Sequence, residues 1–193
     1  FNKNNYLSID FNRSIFKLNT DIVMWTDLMT ISDILQDPRS NNKKTTYLHV
    51  EWRDHRYPVT HDQGFMSRAN YWKENKNFKN WDLKGLFLFR NILTSAFHLC
   101  YNLKVKEILL VGFDMESRNY FYKGHDHNPD QSYELRSDFQ IEKLCHGYTT
   151  QKITREVIEY LVNEEGISIK YNGDSNFLKS ISGISKVQLA KLG

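Results

Sequence analysis

The residue types most able to do chemistry lie along one stretch: Thr94-Ser95-Ala96, an apolar helical run, and then Glu107-Ile108-Leu109-Leu110-Val111-Gly112-Phe113-Asp114. Two small hydroxyls at a helix start offer hydroxyl and backbone N–H groups to a phosphate. Gly112 lets a ligand come close to a strand end, and Asp114 can accept hydrogen bonds from a sugar hydroxyl. Plain structural use is equally open, with Ser95 capping the helix and Asp114 capping a turn. His146 offers a different chemistry. A histidine near its ordinary pKa of about 6.5 can take the proton from an acceptor hydroxyl at neutral pH. An exposed or core-satisfied imidazole is the competing reading.

Gly124-His125-Asp126-His127 could suggest a metal, but alternate residues of a strand face one way and only two ligands would converge. Contact with an acceptor or leaving group, or a plain polar loop, are its other readings. The aromatic lead-in Tyr120-Phe121-Tyr122 could pack under a lid over substrate. His49, His55 and His61 are scattered, and His98 falls in a helix, where a structural role is expected. Between Arg68 and Trp81 basic and aromatic residues alternate, among them Tyr71, Trp72, Lys73, Lys76, Phe78 and Lys79. That stretch reads as an irregular lid or edge insertion, or as a groove in which aromatic faces stack on bases or sugars beside cations.

These side chains need elements to hold them. Strands are predicted at Tyr6–Asp10, Asp21–Trp25, Tyr47–Glu51, Glu107–Val111 and Ile167–Tyr171. Thr26 and Asp27 lie just past the second strand and Asn172-Gly173-Asp174-Ser175 just past the last. Carboxyl ends of strands are where open parallel sheets bind ligands. Helices are predicted at Leu28–Leu35, Asn91–Leu103 and Thr150–Glu164, the last two from apolar residues near a 3.6-residue period. Gly166 is expected to stop the last helix. Short apolar strands alternating with helices predict a Rossmann-like α/β fold, with a mainly parallel sheet flanked by helices. Ile22–Trp25, Ile108–Val111 and Ile167–Lys170 are apolar on both faces and are expected as neighbouring or near-neighbouring strands of that sheet. A helix returning antiparallel to its following strand would bring Ser95 and Asp114 into one pocket. The whole chain, 1–193, is expected to be one domain, with 52–90 as its lid or insertion.

Bulk properties fit this expectation. The 193 residues carry a formal charge of +3, too mild to announce a nucleic-acid protein but suited to a small anionic substrate. With 3 Pro and 9 Gly, long disordered linkers are not expected. Cys100 and Cys145 form neither a disulfide framework nor a zinc motif, so reduced thiols and a cytoplasmic location are the default. No stretch approaches the roughly 18 apolar residues that a membrane span requires, and no signal peptide is visible. The chain opens on Phe1 without an initiating Met, and is expected to begin inside a longer protein.

Thr-Ser-Ala, the apolar helix and Leu110-Val111-Gly112-Phe113-Asp114-Met115 together resemble the core of the bacterial CMP-sialate-dependent sialyltransferases. In that family T-S-G, a helix and a G-[IV]-D strand end line the nucleotide site. The resemblance runs on through His146, Val157-Ile158-Glu159-Tyr160-Leu161, Gly166-Ile167-Ser168-Ile169-Lys170 and the Asn-Gly-Asp-Ser turn, and covers about 6–30 and 90–185. It implies that Asn12, in Ile9-Asp10-Phe11-Asn12, contacts the nucleotide, that Thr26-Asp27 make a second polar contact, and that His146 is the general base. His146 stands further from the helix than the family spacing, and Ala96 replaces the usual Gly. The family's opening strand and G-x-G-P-S loop are absent, so the resemblance implies one nucleotide-sugar-binding domain over 1–193 with its N-terminal strand missing. The archaeal 6-hydroxymethylpterin pyrophosphokinase-like proteins have a similar Asn–Asp–Gly–Asp layout; they transfer pyrophosphate, and that alternative would require Mg²⁺.

The expected reaction is transfer of a sugar from a nucleotide-activated donor to the hydroxyl of a glycan or other acceptor. His146 and Asp114 are the catalytic candidates. Asn12, Thr26, Asp27, Thr94, Ser95, Gly112, Phe113, Asn172 and Ser175 would hold the donor, and Tyr122, His125 and His127 would meet the acceptor or form a lid. A nucleotide leaving group can be stabilised by hydroxyl and amide donors, so neither a cofactor nor a metal is required. The rival is a nucleic-acid-binding or nucleic-acid-modifying protein that keeps a sugar-transferase fold. Assembly into a homo-oligomer is left open.

Overall fold

The apolar run Ile22-Val23-Met24-Trp25 forms a strand in which Val23, Met24 and Trp25 are all buried. Successive side chains of a strand point to opposite faces, so this sheet is covered on both sides. The computed structural model describes residues 6–11, 20–25, 45–51, 63–67, 85–86, 92–113 and 150–189. The chain divides into two units, Phe1–Trp72 with Lys79–Leu99, and Lys73–Phe78 with Cys100–Gly193.

In the first unit β1 (Ile9–Phe11), β2 (Ile22–Trp25), β3 (Thr46–Glu51), β4 (Gln63–Ser67) and β5 (Gly85–Leu86) form one sheet in the order β1-β2-β3-β4-β5. Every pairing in it is parallel. Register sets what each face carries. Met24 lies opposite Phe11 and Leu48, and Ile22 lies opposite Ile9, so these apolar side chains share a face. Helix α1 (Ile92–Asn102) covers it, with Ala96 in the cluster of Met24 and Leu48 and with Ile92 and Leu99 alongside. Positions 92, 96 and 99 recur at helical spacing, and the small Ala at the centre lets helix and sheet approach. The amino ends of β1 and β2 are tied by side chains. Asp21 Oδ2 accepts from the Ser8 amide at 2.8 Å and the Ser8 hydroxyl at 2.6 Å, and Thr45 Oγ1 donates to the Thr20 carbonyl at 2.9 Å.

In the second unit β6 (Glu107–Val111), β7 (Ser168–Asn172) and β8 (Ser185–Lys186) form a parallel sheet in the order β6-β7-β8. Helix α2 (Thr150–Asn163) packs on β7 through a stripe of Ile153, Val157, Ile158 and Leu161, all fully buried. The strand after it begins at Ser168 and not at Ile167, because the Ile167 amide closes the helix end by donating to the Leu161 carbonyl at 2.9 Å. A single turn, α3 (Asn176–Lys179), buries Phe177 and Leu178. The Arg155 guanidinium of α2 lies 5.6 Å from the Phe177 ring centroid and donates to the Ser180 carbonyl at 2.8 Å, joining the two helices.

The chain is thus α/β, with parallel sheets flanked by helices. Two expectations need correction. β6 and β7 are neighbours as expected, but β2 lies in the other sheet, where β1 and β3 occupy both of its edges. Apolarity on two faces reports that a strand is covered above and below, and says nothing of what pairs at its edges. β6 is also an edge strand among the described residues, with Val111 61% exposed, although its apolar run predicts a strand covered on both faces. Within the stretch expected as a lid or insertion, β4 and β5 are strands of the first sheet. The helix expected at Leu28–Leu35 lies outside the described residues. Among the described residues no helix is long and apolar enough to cross a membrane.

Candidate functional site

The carboxyl ends of β6 and β7 come side by side because Val111 and Asn172 are register partners. Each strand is followed at once by a glycine in the left-handed region, Gly112 at φ 69° and Gly173 at φ 127°. Among the described residues a Cβ at either position would meet nothing within 4 Å, so the backbone conformation calls for glycine there. Phe113 follows, half-buried. Asn172 is oriented by its Nδ2, which donates to the Val187 carbonyl at 3.1 Å. Four of the expected donor-binding residues, Gly112, Phe113, Asn172 and Ser175, therefore belong to the ends of two adjacent strands in one unit.

Ser175 has a structural task there. Its buried Oγ accepts from the Leu178 amide at 3.1 Å and caps α3. Asp174 is exposed and holds Lys179 and Lys186, and the hydrogen bond and charge of Lys179, followed by those of Lys186, keep its carboxyl below the ordinary range. Neither lysine stood out in the sequence. A Lys on a two-residue strand reads as surface, and only the pairing of β8 with β7 brings Lys186 beside Asp174.

Thr94 and Ser95 sit in the first turns of α1 with no exposed surface. His98, on the same helix, is likewise fully buried, and desolvation lowers its pKa to about 4, so it is neutral at physiological pH. Burial raises the Cys100 thiol to about 11, which keeps it protonated. Asp10 was not singled out from the sequence, yet it is a buried carboxylate near the end of β1, with Oδ1 accepting from the Phe11 amide at 2.8 Å. The signal available was an acid flanked by Ile9 and Phe11 in an apolar strand.

Asn12, Thr26, Asp27, Asp114, Tyr122, His125, His127 and His146 lie outside the described residues, as do Arg68 to Trp81 and Cys145. The expected pocket shared by Ser95 and Asp114 falls there with Asp114. No family model, curated protein or solved structure matches the chain, which leaves the resemblance to sialyltransferases resting on its own motifs.

Proposed function

We propose that the chain is a Rossmann-like glycosyltransferase of sialyltransferase type, which moves a sugar from a nucleotide-activated donor to an acceptor hydroxyl. The observation that carries this reading is the pair of parallel strand ends, Val111-Gly112 and Asn172-Gly173, set side by side, each turning on a glycine of positive φ. In α/β sheets that edge is where nucleotides bind. Gly112 and Gly173 give a ligand access to backbone groups, and Asn172, fixed through its Nδ2, presents an amide edge to it. His146 serves as the base for the acceptor, and Asp114 accepts hydrogen bonds from the donor sugar. A cytoplasmic location accompanies this reading, on the default for a chain whose two cysteines show no disulfide spacing.

Thermal unfolding with CMP, with CMP-sialate and with unrelated nucleotides tests it. A ligand that binds only the folded chain stabilises it by about 2.7 kcal/mol at a hundredfold excess over Kd. CMP and CMP-sialate should raise Tm, and the sugar donor should be slowly hydrolysed when no acceptor is present. If neither compound shifts Tm and the donor stays intact, the reading is wrong.

A further inference from the structure

The carboxyl edge of the second sheet carries a cation that the donor-site residues do not include. Lys186 is the last residue of β8, register partner of Tyr171 and so one strand beyond Asn172. Its Nζ lies 3.4 Å from Asp174 Oδ1, and the same oxygen is held more closely by Lys179. Two ammonium groups thus share one carboxylate oxygen, and Lys186 has the longer contact. Strands in a sheet are about 4.8 Å apart. Lys186 lies level with Tyr171, two residues short of Gly173, so Gly112, Gly173 and Lys186 span roughly 12 Å of this edge. A nucleoside carrying one phosphate is of that size.

We propose that Lys186 binds the phosphate of the nucleotide at this edge, exchanging Asp174 for the phosphate while Lys179 keeps the Asp174 carboxylate in place. This rests on the nucleotide-binding reading above. A phosphate oxygen takes a charge-assisted hydrogen bond from a lysine as a carboxylate does, and its larger charge favours the exchange. The side chains are accessible, at 44% for Lys186 and 78% for Asp174. The same chemistry would admit inorganic phosphate, and the test separates the two sources.

Calorimetric titration of the full chain with CMP, cytidine and inorganic phosphate, repeated on Lys186→Gln, Lys186→Arg and Asp174→Asn, decides the matter. Lys186→Gln should weaken CMP binding about tenfold, the order for one hydrogen bond to a charged group, and leave cytidine binding unchanged. Lys186→Arg should retain CMP affinity. Asp174→Asn removes the competing carboxylate and should bind CMP at least as tightly as the wild type. A purely structural ion pair would lower melting temperature in both variants, more in Asp174→Asn because it also loses Lys179, and would leave CMP binding untouched in both. Wild-type CMP affinity in Lys186→Gln overturns the proposal and leaves the nucleotide reading standing. Phosphate binding that depends on Lys186, with no binding of CMP, keeps the subsite and removes the nucleotide. Binding of neither CMP nor phosphate removes both, and equal weakening in Asp174→Asn and Lys186→Gln rules out the exchange.

Discussion

His98 is enclosed within α1, and desolvation draws its pKa from 6.5 to about 4. Above pH 6.5 the imidazole is neutral in both the folded and the unfolded chain. As pH falls from there to about 4, the unfolded chain takes up a proton that the folded chain refuses, so stability falls with pH. Over that window the loss is on the order of 3 kcal/mol. Urea unfolding across the window should show the decline, and His98→Gln should flatten it. Identical slopes in the two proteins would mean that the folded state accommodates a charged His98. A second expectation concerns His146. His146→Ala should slow single-turnover transfer about 10²–10⁴-fold at saturating donor, with donor affinity little changed, because a general base acts on the acceptor. Full rate in this variant together with a dead His127→Ala would move the base to His127. Full rate in His125→Ala, His127→Ala and His146→Ala alike would end histidine base catalysis and favour Asp114.

Elements with a clear period were legible in the sequence. Ile153, Val157 and Leu161 announce α2, and Glu107 to Val111 announces β6 to the residue. Gln63-Gly64-Phe65-Met66-Ser67 lacks β-branched residues and contains a glycine, and Gly85-Leu86 is too short for any period, so β4 and β5 were not legible. Of the candidate site, the glycine and asparagine at the strand ends could be read from turn chemistry. Lys186 could not, because its place depends on the pairing of a two-residue strand with β7. One contact tests the packing of the second unit. Gly183 has φ 80°, and a Cβ there would stand 2.7 Å from Val162 Cγ1 of α2. Valine is stiff at χ1 and cannot swing away. Gly183→Ala should therefore cost about 2–4 kcal/mol, from the left-handed backbone and the overlap together. Gly112→Ala, with the same backbone conformation and no described residue within 4 Å of the added Cβ, should cost only about 1–2 kcal/mol. Equal losses in guanidinium unfolding would show that the α2 contact gives way.

The whole molecule carries a formal charge of +3 over 193 residues. A nucleic-acid-binding protein shows affinity that falls steeply with salt as counterions are released. Oligonucleotide titrations at rising salt should find only weak association here, whereas tight binding with a steep slope would favour the nucleic-acid rival over the sugar transferase. The first sheet has a further property that belongs to the molecule in time. Among the described residues its spatial order is also its chain order, so each of β2 to β5 pairs with the strand before it, and α1, whose residues cover the sheet, follows them. Among the described strands this sheet can therefore be assembled progressively as the chain leaves the ribosome. Until α1 emerges, however, the face bearing Phe11, Met24 and Leu48 has no cover from it. Synthesis of α1 therefore ends the interval in which this apolar face lacks its helix.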